Sequence, residues 1–209
     1  MWFATFAAAM ASDVLGETAH GELEVGFFGG SRALGEAPYE LVEAGDERPV
    51  AGLDDPFAAY PLTDALVIGP RVEARFVAPP LRLGVGWQRV YPDWEPVDDH
   101  REPDGAGAPA ISSVRRFTTD EARFAIGLEV PTGLVVPIVD LVGDVHLSTV
   151  ALEIDGVPAT YRSESFSLGG RAGLRAQVSD ATFLQVSGEV SPLGPFSWGA
   201  SVGVGVALY

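Results

Sequence analysis

His146-Leu147-Ser148 sets an imidazole and a hydroxyl two residues apart. On a β-strand that spacing puts both side chains on one face, and a serine hydrolase needs a histidine within hydrogen-bond reach of its nucleophile. Thr149 follows Ser148, however, and His146 shares its face with Asp140 and Asp144. A histidine in an ion-pair network is the expected reading. A second group is acidic: Asp54-Asp55 and Asp98-Asp99-His100-Arg101-Glu102. Carboxylate oxygens are ligands for hard divalent cations, but runs of like charge are ordinarily solvated, mutually repelling loops. His20 and His100 have no partners at metal-ligand spacing. No nucleophile elbow, phosphate loop or dinucleotide fingerprint occurs. The expectation is a chain with no catalytic residues, no metal and no cofactor.

Composition restricts the setting. The chain has 209 residues, 47% of them apolar, with 25 glycines and no cysteine. Its net charge of −16 argues against a nucleic-acid partner. All 13 basic residues are arginine, the cation better suited to desolvated pairs. The longest apolar runs are Trp2–Ala11, broken by Thr5, and Leu134–Val139. A spanning helix needs about 20 apolar residues, so a membrane protein of this sequence must be a closed β-barrel. Ala9-Met10-Ala11 before Ser12 has the small-residue pattern of a signal-peptidase site. Residues 1–17 are expected to be a residual export signal or a disordered tail, and residues 18–209 a barrel.

The elements that would position these residues are strands. Strict apolar/polar alternation, the mark of a strand with one apolar face, occurs in eight stretches: Glu22–Phe28, Ala65–Ala78, Leu81–Val90, Thr119–Val130, Leu134–Leu152, Ser163–Val178, Thr182–Val190 and Phe196–Tyr209. Short joins rich in Pro, Gly and Asp link the second to the third, the fourth to the fifth and the sixth to the seventh. The seventh-to-eighth join, Ser191–Pro195, is also short. Gly29–Asp64 and Tyr91–Phe117 are long, and Glu153–Arg162 is moderate. Within the first long join, Tyr39–Val42 and Pro49–Leu53 are expected to pair as a hairpin above the barrel. An even strand number with one short-turn end and one long-loop end is the layout of an eight-stranded antiparallel up-and-down transmembrane barrel.

Alternation alone leaves open which face is inside. The polar face here is mostly Gly, Ser and charges of both signs. Small residues suit a narrow lumen, and charges buried there must be paired. The lumen network is expected to join Arg71, Arg75, Arg82, Arg123, Arg171 and Arg175 to Glu22, Glu24, Glu73, Glu121, Glu129, Asp140, Asp144 and Glu189. Trp87, Tyr91, Trp94, Phe117, Tyr161, Trp198 and Tyr209 stand near strand ends and are expected in interfacial girdles. The competing architecture is a secreted soluble β-barrel or sandwich with the apolar face inside.

On this layout, residues 18–209 resemble the small OmpA-type outer-membrane barrels. The most specific piece is the last strand, Phe196–Tyr209, with its terminal aromatic residue. In that family such a strand is read by the barrel-assembly machinery, although here Val202, Val204, Val206 and Leu208 run one residue out of phase with Tyr209. The resemblance implies a monomer in a Gram-negative outer membrane, with outer-membrane lipids, lipopolysaccharide and the assembly machinery as partners. It implies a non-enzymatic envelope structural or surface-interaction role. His146-Leu147-Ser148 resembles the His-x-Ser of outer-membrane lipid A deacylases, which makes a lipid-modifying hydrolase one alternative. A narrow pore for small solutes and a secreted soluble binding protein are the others.

Overall fold

The computed structural model describes residues 19–45, 53–58, 60–96, 110–130 and 133–208. Its strands are β1 (His20–Ala33), β2 (Glu40–Ala44), β3 (Asp64–Ala78), β4 (Leu81–Asp93), β5 (Ile111–Glu129), β6 (Val135–Ile154), β7 (Val157–Gln177), β8 (Thr182–Leu193) and β9 (Ser197–Leu208). Eight of them pair antiparallel with their neighbours in a closed ring, β1-β3-β4-β5-β6-β7-β8-β9 and back to β1. The ninth, β2, adds to the outer end of β7. Among the described residues, no helix is long and apolar enough to cross a membrane.

Closure is staggered. A row of paired residues that starts at Leu81 runs through Leu128, Val139, Ala172, Gly188, Ala200, Gly29 and Ile68. It returns to β4 at Tyr91, not at Leu81. That stagger tilts the strands against the barrel axis, as closure requires.

The polarity is inverted relative to a soluble barrel. Val25, Leu83, Phe124, Leu141, Leu174 and Val204 point outward and are exposed, whereas Glu24, Arg82, Arg123, Asp140, Arg175 and Gln185 point inward and are buried. Arg171 is 1% exposed while outward Leu141 is 53% exposed. In water this arrangement would waste the hydrophobic effect; in hydrocarbon it is the stable one. On β9 every outward residue from Trp198 to Leu208 is Ala, Val, Leu or Trp, about the 9–11 residues that a tilted strand needs to cross.

The inversion ends along one row of the wall. Arg89, Asp120, Leu147 and Glu164 are successive register partners on β4 to β7. Arg89 Nε and Nη2 donate to the two oxygens of Asp120, each at 2.8 Å. Beyond that row the outward side chains turn polar, with Arg162, Glu153 and Arg115, and Arg115 Nη2 lies 2.5 Å from Glu153. The inward ones turn apolar at the same height: Phe117, Val150, Leu152, Ile154, Ala159 and Tyr161 are all buried. Water replaces lipid outside, and the sheet reverts to ordinary soluble patterning. The row therefore marks the edge of the bilayer.

β5, β6 and β7 overshoot that edge. The join Glu153–Arg162, expected to be a moderate loop, is strand on both sides of a two-residue turn, Asp155-Gly156. Both have positive φ, 49° and 81°, the backbone that matches hairpin twist. Leu34, Tyr60 and Leu62, from the segment between β1 and β3, pack against the inner face of this tall sheet. Of the hairpin expected from Tyr39–Val42 and Pro49–Leu53, the first arm is strand: Glu40–Ala44 pairs with Ala159–Arg162 of β7, because that edge lies free beyond the end of β8. Positions 49–52 lie outside the described residues.

The aromatic expectation divides. Trp87, Tyr91 and Trp198 are exposed on the outer wall. Trp94, Phe117 and Tyr161 are instead buried in the apolar cap above the lumen, with the partly buried Phe57 and Tyr39 packed against them. Their rings meet edge-on, Phe57 to Tyr161 at 5.4 Å and Trp94 to Phe117 at 6.4 Å. An inward-facing aromatic above the bilayer edge has water to avoid, not an interface to mark. Tyr209 lies outside the described residues.

Candidate functional site

The lumen is where the charged side chains converge. All fourteen residues expected there, Glu22, Glu24, Arg71, Glu73, Arg75, Arg82, Glu121, Arg123, Glu129, Asp140, Asp144, Arg171, Arg175 and Glu189, point inward on strands of the ring.

Glu73 is the hub. Arg171 of β7 reaches across the axis and donates from Nη1 and Nη2 to both Glu73 oxygens at 2.6 and 2.8 Å. Arg75 Nε donates to Glu73 at 2.6 Å, and Arg71 donates to it as well. Arg171 also holds Asp140, its neighbour on β6, at 2.6 Å. Beside this hub, Arg123 forks between Asp144 at 2.7 Å and Glu189 at 2.8 Å.

Towards the short-turn end, Arg175 pairs with Glu22 and lies 3.3 Å from Glu129. Arg82 Nε is 3.2 Å from Asp140, and Arg75 Nη2 is 2.7 Å from Glu24. Towards the cap, Glu121 pairs with Arg32 and accepts from Gln88 at 3.1 Å. Arginine suits this role because its planar fork serves two carboxylates at once.

Glycine makes room for these chains. A Cβ at Gly203 would stand 2.6 Å from Glu24 Oε1, and one at Gly84 would stand 3.0 Å from Glu73 Oε1. Gly203 is on β9 beside β1 and Gly84 on β4 beside β3, so the glutamate chains lie over bare backbone of the adjacent strand.

Arg32 and His146 complete the network beyond the fourteen. Arg32 follows Phe28, an apolar residue that points inward and breaks the alternation of the first strand. Its signal was its phase, since Glu22, Glu24 and Arg32 are all even-numbered. His146 Nε2 is 2.8 Å from Ser167 Oγ, and Nδ1 is 3.6 Å from Glu121. Ser148 Oγ is instead 2.9 Å from Thr119 Oγ1. The two residues of the His-x-Ser pattern thus engage different partners, and both face the lumen, where lipid outside the wall cannot reach them.

The cap closes the outer end. Tyr161 donates from its hydroxyl to Leu53 O. Burial, with the negative charges of Asp54 and Asp55 adding to it, pushes the Tyr161 hydroxyl up to about 12; burial also raises the hydroxyl of Tyr39. Asp54 and Asp55 are exposed, and among the described residues no group of three or more His, Asp or Glu is arranged to hold a metal ion. Positions 98–102, the second acidic run, lie outside the described residues.

No protein-family model matches the chain, and no curated protein matches it. Solved structures do. Neisserial surface protein A is similar with a TM-score of 0.54 at 13% identity, over 92% of this chain and 99% of that one. Ail, the attachment invasion locus protein of Yersinia pestis, is similar with a TM-score of 0.52 at 12% identity, over 92% of this chain and 100% of that one. The fold is that of the small eight-stranded outer-membrane barrels. With an exterior that only lipid satisfies, the chain is an outer-membrane protein of the Gram-negative type.

Proposed function

We propose that this barrel is a non-enzymatic envelope protein whose work is done at the cell surface, by the tall β5–β7 sheet and its cap. The observation that carries this reading is the filled lumen. Seven arginines and eight carboxylates fill the lumen in mutual pairs, Arg171 and Glu73 directly across the axis, and the apolar cap covers the outer end. An eight-stranded ring has room inside for little more than its own side chains. What remains for interaction is the wall, in contact with outer-membrane lipids and lipopolysaccharide, and the rigid sheet that stands beyond the bilayer edge. The barrel is a monomer on this reading, and β9 is the strand that the assembly machinery would engage.

Planar-bilayer recording tests the closed lumen: no steady single-channel current is expected from the folded protein, and reproducible ion-selective conductance would replace this reading with a pore. Incubation with vesicles that contain lipid A tests the absence of catalysis. Release of acyl chains that disappears in His146→Ala would make the protein a hydrolase.

A further inference from the structure

We infer that a small cavity at the outer end of the lumen is a binding site for a single small anion, with a halide as its chemical type. The cavity is lined by Arg32 of β1, Tyr39, His146 and Ser148 of β6, and Ser163 and Ser165 of β7, with Pro195 at its rim. It has about 10 Å³ free for the centre of a water-sized sphere, room for one particle of that size.

Two features select the occupant. The first is the donor set. A guanidinium, four hydroxyls and an imidazole line the space, and no carboxylate does. Glu121 lies behind Arg32 and His146, taken up by Arg32 and by Gln88. The second is unmet demand. Arg32 Nε and Ser163 Oγ are buried and have no hydrogen-bond partner among the described residues. Arg32 is 4% exposed and Ser163 is 6% exposed. Arg32 is already paired with Glu121 through Nη1, and its free Nε–H makes a stronger hydrogen bond to an ionised acceptor than to a neutral one, so an anion meets this demand better than water does. Room for one water-sized particle matches a monoatomic anion rather than a polyatomic one. A monoatomic anion accepts from several donors at once without any demand on their angles.

Such an ion would tie three pieces of the chain together: the end of β1 through Arg32, the cap through Tyr39, and β6–β7 through the serines. It would act as a fastener between cap and barrel. A water molecule in the same place could accept from Arg32, but it would bring no charge.

The test uses the full chain folded in detergent. Crystals grown or soaked with bromide are expected to show an anomalous peak between Arg32 and Ser163. Unfolding is expected to be slower in sodium chloride than in sodium gluconate at equal ionic strength. For a Kd of about 10 mM, 100 mM chloride should slow it roughly tenfold if the ion leaves before the transition state. Ser163→Val fills the cavity while sacrificing a hydroxyl with no partner, so it should fold and lose the chloride effect. Ordinary water density in the bromide data would overturn the proposal. So would equal unfolding rates in chloride and gluconate, or a chloride effect unchanged in Ser163→Val.

Discussion

Glu73 on β3 and Arg171 on β7 meet across the barrel axis, joined by two hydrogen bonds of 2.6 and 2.8 Å between strands on opposite sides of the ring. Because Arg71 and Arg75 bind the same carboxylate, its removal leaves three buried guanidiniums short of a partner. Glu73→Ala is therefore expected to cost about 3–5 kcal/mol, the scale for breaking a buried pair from one side. Arg115→Ala removes an exposed pair with Glu153 and should cost no more than about 1 kcal/mol. Urea unfolding in detergent, followed by the heat-dependent shift in gel migration, compares them. Equal losses would mean that the lumen network holds nothing together.

The lipid-facing wall makes a separate prediction. Val204 lies midway along β9, points outward and is 43% exposed. Arginine there must take its charge into hydrocarbon, at about 2–4 kcal/mol near the midplane. Val42 is equally apolar and 50% exposed, but it sits on β2, beyond the bilayer edge. Val42→Arg should change stability by less than about 0.5 kcal/mol. Folding into lipid vesicles reads both; a Val204→Arg protein as stable as Val42→Arg would place β9 outside the membrane.

How far the sequence reveals this architecture depends on height in the barrel. Within the bilayer, lipid outside and charge inside force opposite residue types onto alternate positions, so Arg71, Glu73 and Arg75 announce both the strand and its inner face. Above the edge the periodicity persists but its meaning flips. Val150, Leu152 and Ile154 are inward, as His146 and Ser148 are, yet their polarity is the reverse. That reversal hid the tall hairpin and put Trp94, Phe117 and Tyr161 in a girdle. Register partners such as β2 with β7 leave no local trace, because an edge becomes available only when a distant strand, β8, ends early.

Sidedness follows from the same asymmetry. The tight joins before β4, β6 and β8 share one end of the barrel, and the tall hairpin stands at the other. The chain has no native cysteine, so single substitutions report cleanly. Ser112→Cys, exposed on β5 above the bilayer edge, should react with an impermeant maleimide on intact cells. Asp180→Cys, in the turn before β8, should react only after lysis. The opposite pattern would invert the topology.

The cap should loosen in alkali before the barrel does. Tyr161 lies beyond the Glu164 row, out of the bilayer, and its hydroxyl is raised from the usual 10 to about 12 by burial and by Asp54 and Asp55. A raised value for an acid means that the folded state favours the neutral, protonated form. The stabilisation is therefore fully present below about pH 10, where the hydroxyl is neutral in either state. It is lost as pH rises from about 10 towards 12. Ionisation also ends donation to Leu53 O, so the segment that carries Leu53, Asp54 and Asp55 is pushed away by like charge as it loses its tether. Trp94 packs in the same cluster, and its fluorescence should report the loosening. Tyr161→Phe should remove the Tyr161 step from the tyrosinate absorbance curve and shift the Trp94 transition to higher pH, at the cost of one hydrogen bond. A Trp94 transition unchanged in Tyr161→Phe would place the alkaline trigger elsewhere in the cap.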